Sequence, residues 1–182
     1  MRFRSRAVLG FIAAALLASA GPAAAQDMPP IPKPGPEHEV LKAEVGAWDA
    51  TIEMETPGGM MTSKGVETNR LGCGGLCLIS DFTGEFMPGM AFEGHGMTVY
   101  DSKKKKYVGT WTDSMSSSIA MGESTYDAAT KTSTGFMEGT DMTGATVKTK
   151  TVVEHTDPDT RVFTMYNPDG AAGMKITYKR KK

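Results

Sequence analysis

Two cysteines, three histidines and a run of methionines carry the most distinctive chemistry in this 182-residue chain. Cys73 and Cys77 are its only cysteines and flank Gly74-Gly75-Leu76. Residues four apart in a straight strand lie about 13 Å apart, beyond the Cα separation of roughly 7 Å that a disulfide tolerates, so the chain must turn if the two are to pair. A three-residue loop would bring them opposite each other, and its glycines supply the positive φ such a loop needs. In an oxidising compartment the expected outcome is a structural disulfide, with a redox or metal pair and free thiols as alternatives. Met87, Met90, His95 and Met97 fall within eleven residues, and thioether and imidazole are soft enough to hold Cu(I). Their spacing is irregular, however, and Met is also an adaptable filler of cores and cavities, which makes lining the expected role. A copper binder, or an enzyme using His95 with nearby Met and carboxylate residues, is the alternative.

The remaining polar side chains assign no catalytic residue. His38, His95 and His155 are too scattered for a zinc signature. Asp113, Glu123 and Glu138 would be the candidates for a carboxylate pair, but no spacing makes any two converge. The chain contains no Gly-x-Ser-x-Gly elbow, phosphate loop or dinucleotide fingerprint, and no metal or cofactor is assigned. A different group fits binding without turnover. Tyr107, Trp111, Met115, Met121 and Phe136 are large apolar side chains set among Thr, Ser and Gly, and they are the expected lining of a ligand cavity. Gly109, Gly122 and Gly135 would leave volume unfilled around them.

The elements that must position these residues follow from the chain's periodicity. Arg2, Arg4 and Arg6, the apolar run from Ala7 to Ala18 and the small residues before Gln26 read as a secretory signal peptide over 1–25, with cleavage expected after Ala25. That places the protein in the periplasm or outside the cell, with no integral membrane segment in the mature chain. Residues 26–35 hold four prolines and read as an extended leader. Pro36 then opens a short helix over 36–45, with Val40, Leu41 and Val45 as its apolar stripe and Gly46 as its stop. From Gly46 the period becomes two: Trp48, Ala50, Ile52 and Met54 share one face, and so do Leu76, Leu78, Phe82 and Phe86 and later Met174, Ile176 and Tyr178. Turn signals recur every ten to fifteen residues and divide the rest into about ten strands. With no second helix to carry parallel crossovers, an all-β antiparallel meander is expected over 36–182. Curling it into a barrel or half-barrel removes its edges.

Without the three arginines of segment 1–25, the 20 basic residues fall to 17 against 21 acidic ones, a net charge of -4 on 157 residues. A mildly acidic domain of that size disfavours nucleic acid as a partner and is long enough to build one core.

Gly46-Ala47-Trp48, after a helix and before a meander ending in Tyr178-Lys179-Arg180, resembles the calycin arrangement of lipocalins and fatty-acid-binding proteins. The resemblance implies a barrel in which Arg180 covers Trp48. Further blocks run in order: Gly-Pro-Glu-His (35–38), Val-Gly-Ala-Trp-Asp (45–49), Phe-Glu-Gly-His-Gly (92–96), Tyr-Asp-Ser-Lys-Lys-Lys-Lys-Tyr-Val (100–108), Trp-Thr-Asp-Ser-Met (111–115) and Thr-Tyr-Asp-Ala-Ala-Thr-Lys-Thr (125–132). Together they resemble the bacterial exported family named for domain of unknown function 1579 (DUF1579), which implies a fold and no established activity. The function expected from these features is binding of a small apolar or amphipathic ligand inside an exported barrel.

Overall fold

Period-two alternation governs almost the whole described chain. In this computed structural model, residues 31–87, 89–141 and 143–182 are described. The segment read as a signal peptide and the first half of the leader lie outside them. One helix, α1 (His38–Ala43), precedes ten strands: β1 (Gly46–Thr56), β2 (Gly59–Gly72), β3 (Cys77–Met87), β4 (Met90–Asp101), β5 (Lys106–Asp113), β6 (Ala120–Asp127), β7 (Thr132–Thr140), β8 (Thr146–Asp157), β9 (Thr160–Tyr166) and β10 (Ala172–Arg180). Each strand pairs antiparallel with its sequence neighbour and β10 returns to β1, so the sheet is a closed barrel. Closure leaves no unpaired strand edge. No helix among the described residues is long and apolar enough to cross a membrane.

The helix is shorter than the 36–45 expected. His38 N donates to Gly35 O at 3.0 Å, while Gly35 N donates back to His38 Nδ1 at 3.0 Å. This makes residues 35–37 a turn and starts the helix at His38. Val45 then falls beyond the last turn and is 36% exposed, leaving Val40 and Leu41 as the residues of the expected stripe that face the barrel interior. Two of the barrel's turns share one construction. Asp101 Oδ1 accepts from Lys103 N and Lys104 N, Asp127 Oδ1 accepts from Ala129 N, and a lysine with φ near +54° (Lys105 and Lys131) closes each turn. The Tyr-Asp repeat 26 residues apart in the sequence is thus repeated turn chemistry.

At the seam between β1 and β10, Trp48 stands opposite Arg180 in register. The Arg180 guanidinium lies 4.1 Å from the indole centroid and donates to Val45 O at 2.6 Å and Ala43 O at 2.8 Å. One side chain therefore fastens the last strand, the first strand and the end of α1.

Candidate functional site

The barrel interior is packed on one side and hollow on the other. Trp48, Ala50, Ile52, Phe82 and Tyr178, from β1, β3 and β10, form the buried core cluster, with Phe92, Trp111, Phe163, Met174 and Ile176 against it. None of these comes from β6, β7 or β8. The cavity wall contributed by those strands combines small residues, among them Gly122, Ser124, Ser133, Gly139, Thr149 and Thr151, with Met137, Val147 and Val153. The result is a cavity of about 580 Å³ running the length of the barrel, within the 300–1,000 Å³ range of small-molecule sites.

One end is closed by α1. Leu41 packs with Leu78 and Tyr107 as a second buried cluster, and Tyr107 Oη donates to Glu37 O at 2.8 Å. Burial pushes the Tyr107 phenol up to about 12, so the hydroxyl keeps its proton and its bond to the helix across the neutral range. At the other end the cavity is bordered by Phe86 and Phe92 and by the β5–β6 turn, including Met115, Ser116 and Ser118.

A charged cluster sits at the helix end. Arg161 lies with Nη2 2.5 Å from Glu67 Oε1 and Nη1 2.7 Å from Glu44 Oε2, and His155 Nε2 is 3.1 Å from Glu44 Oε1. Its guanidinium also stacks 4.2 Å from the Tyr178 ring centroid and 4.8 Å from that of Trp48. Burial opposes the charge on Arg161, and the Glu67 and Glu44 carboxylates outweigh it, holding the guanidinium above its ordinary pKa. Tyr178, fully enclosed and next to the Glu67 carboxylate, is raised well above the usual phenol range. Asn69 Nδ2 donates to Glu67 Oε1 at 2.8 Å. Sequence reasoning missed this cluster, although Arg161 shares strand parity with the inward Phe163 and Met165, where an arginine is out of place unless paired.

At the opposite end, Asp113 is half-buried. Its Oδ2 accepts from Trp111 Nε1 at 3.0 Å and its Oδ1 from Met115 N at 2.9 Å. The Trp111 indole lies across Gly94 and Gly96: a Cβ at Gly94 would fall 2.2 Å from Trp111 Cζ2. Glycine at position 94 is what lets the ring lie flat against β4.

The expected cavity residues divide. Tyr107 and Trp111 line the cavity, and Met115 borders it from the turn, 46% exposed. Met121 faces outward at 51% exposure, because Ala120 and Gly122 hold the inward parity of β6. Phe136 borders the cavity, but its ring is 48% exposed with the Lys148 ammonium 5.1 Å from its centroid. Gly135 and Met137 hold the inward parity of β7. Gly109 and Gly122 border the cavity as expected, whereas Gly135 is packed tightly against Ser124 and the Glu123 carbonyl.

The residues of the copper reading are half-exposed and away from the cavity. His95 Nδ1 meets Asp81 Oδ1 at 2.5 Å between β4 and β3, and Met87, Met90 and Met97 are about 40% exposed. Among the described residues no cluster of three or more His, Cys, Asp or Glu side chains forms a metal site. Glu123, one of the candidate carboxylates, is bound on the outside by Lys104 and Lys106, and these hydrogen bonds lower its pKa to about 2. Cys73 and Cys77 flank the expected tight turn, with Cys73 at φ +53° and Gly74 at φ +67°. The expected disulfide is not present, however. The sulfurs are 2.7 Å apart, a thiol contact rather than a bond of about 2.05 Å. Burial, followed by the contact with Cys73, raises the Cys77 thiol.

The barrel is similar to several solved structures. An S-type phycobiliprotein lyase, CPES, from Guillardia theta aligns with a TM-score of 0.55 at 12% identity, over 80% of this chain and 93% of that one. A de novo designed fluorescence-activating β-barrel aligns with a TM-score of 0.46 at 14% identity, over 78% and 97% of the two chains. At 12% identity the likeness to the lyase establishes the fold alone. No curated protein matches the chain in sequence. Residues 33–180 match the family described as "Protein of unknown function (DUF1579)", and the chain belongs to that family.

Proposed function

We propose that this protein binds a small apolar or amphipathic molecule in the barrel cavity and releases it unchanged. The observation that carries this reading is the cavity of about 580 Å³ in the middle of a closed barrel, with Phe86, Phe92, Trp111 and Met174 on its walls. A barrel that only needed stability would fill this space, because empty apolar volume is destabilising. Small inward residues such as Gly122, Ser133, Gly139 and Thr149 help to keep it open, and the surrounding aromatics offer apolar area with few polar points. The copper or enzymatic alternative has less support, since His95 and the methionines around it stand half-exposed outside this volume.

The same proposal takes the protein to be exported by cleavage after Ala25, in keeping with the basic and apolar order of residues 1–25. In an oxidising compartment Cys73 and Cys77 would then close to a disulfide, giving two protons and two electrons to a thiol oxidase or small disulfide. Thiol titration of the exported protein under denaturing, non-reducing conditions should find no free sulfhydryl, and recovery of two would refute the pairing.

Titration with a neutral naphthyl dye, read by its own fluorescence and by tryptophan quenching, tests the binding. Saturable binding is expected in the wild type, with loss in Gly122→Phe. That substitution has room at its Cβ, where the nearest atom is Phe136 O at 3.7 Å, and drives a ring into the cavity. Absence of saturable binding by the dye or any other apolar probe would overturn the proposal. Native mass spectrometry of the exported protein would identify a resident organic molecule as a mass adduct.

A further inference from the structure

The charges around the cavity indicate which amphiphile it accepts. Among the described residues that line it, Arg161 is the only guanidinium or ammonium group. Its two terminal nitrogens are engaged by Glu67 and Glu44. Its Nε is sealed from solvent, so no ligand reaches it. The helix end of the cavity therefore offers a ligand anion no free cation. With His155 neutral, Glu44, Glu67 and Arg161 sum to one negative charge. With His155 protonated they sum to zero.

The other end adds negative charge that no Lys, Arg or His among the described residues balances. Asp113 lines the cavity, half-buried, with no Lys, Arg or His partner among the described residues, and exposed Glu85 stands at the same strand ends. Trp111 Nε1 fixes the Asp113 carboxylate next to an indole that also lines the cavity. An ammonium bound at this carboxylate, which sits at the N–H edge of the indole, gains the ion pair and can reach over the ring face turned to the cavity, gaining its quadrupole as well. A fatty carboxylate entering the same space would lose its hydration without gaining a charge partner.

Resting on the proposal that the cavity binds an amphiphile, we infer that it selects a protonated amine on an apolar or aromatic body, with the ammonium at Asp113 against Trp111. The body extends along the barrel toward Phe82 and Leu78, at the helix-covered end.

A matched series tests it. Dodecylamine, dodecanol and dodecanoate, each below its aggregation concentration at neutral pH, are used to displace the neutral naphthyl dye. Dodecylamine is expected to bind at least tenfold more tightly than dodecanoate, with dodecanol between them. Asp113→Asn is expected to reduce that ratio at least fivefold. If dodecanol binds and dodecanoate equals or exceeds dodecylamine, the charge selection is wrong while cavity binding stands. If none of the three displaces the dye and the dye itself does not saturate, the cavity-binding proposal fails and this inference with it. A ratio that persists in correctly folded Asp113→Asn overturns the seat. Should that variant not fold, the wild-type ratio and its decline with added salt still decide the charge selection.

Discussion

The arc formed by β9, β10, β1, β2 and β3 and the arc formed by β6, β7 and β8 belong to one sheet with one hydrogen-bonding rule, yet they fill the interior in opposite ways. The first places Trp48, Ile52, Phe82 and Tyr178 inside, together with a buried ion cluster. The second lines the interior mainly with glycine, serine and threonine, with Met137, Val147 and Val153 among them, and turns Met121 outward. The comparison separates two requirements. Apolar packing is concentrated in the first arc, and the second borders the empty volume.

Arg161→Met should produce the largest effect, because it leaves Glu44 and Glu67 buried without a cation. A loss of about 3–5 kcal/mol in urea unfolding is expected. Replacing both glutamates by Gln in the same protein should recover much of that loss; failure to recover would mean that Arg161 acts through its stacking on Trp48 and Tyr178 instead. Gly94→Ala comes next. Its Cβ would displace the Trp111 ring, for an expected cost of about 1–3 kcal/mol with a shift in tryptophan emission. Unchanged emission would disprove the account of Trp111 lying on a bare strand.

Alkaline pH probes both clusters. Tyr107 at about 12 and the raised Tyr178 keep their protons in the folded protein after the unfolded chain has lost them near pH 10. Stability should therefore fall as pH rises from about 10 through about 12, since the native state binds more protons there. Tyr107→Phe, measured by thermal unfolding across that window, should flatten the decline; an equal slope in both proteins would contradict the shift. The smallest effect is expected from Gly122→Ala, within about 0.5 kcal/mol of wild type in the same assay, because the hollow arc has room for a methyl group. A loss above 1 kcal/mol would mean that this arc is packed after all.

The contrast also explains what was legible in the sequence. On β1, β3 and β10 hydrophobicity marks the inside, so the parity of Trp48, Ala50, Ile52 and Met54 could be read directly, and the strand number followed from turn chemistry. A cavity wall reverses that signal. On β6 the inward residues are small and Met121 points to solvent, so choosing lining residues by size selected Met121 when parity required Gly122; on β7 it took Phe136, which borders the cavity half-exposed, and passed over the inward Met137. The charge cluster was hidden for another reason. Its members lie just after α1 and in β2, β8 and β9, and only the closure of the sheet brings Glu44, Glu67, His155 and Arg161 together. The helix boundary was misplaced because Gly35 and His38 hydrogen-bond each other and hold Pro36 in a turn.

The seam where Trp48 meets Arg180 has a kinetic consequence. It joins residues 132 positions apart, so the barrel cannot close until β10 is available, and the loop entropy of that closure falls within the folding reaction. Until then β1 and β9 present bare edges, the condition under which strands pair with the wrong chain. A chain truncated before β10 should accordingly aggregate rather than fold into a smaller barrel. Arg180, on the last strand of the barrel, acts as the final latch of a process that must wait for it.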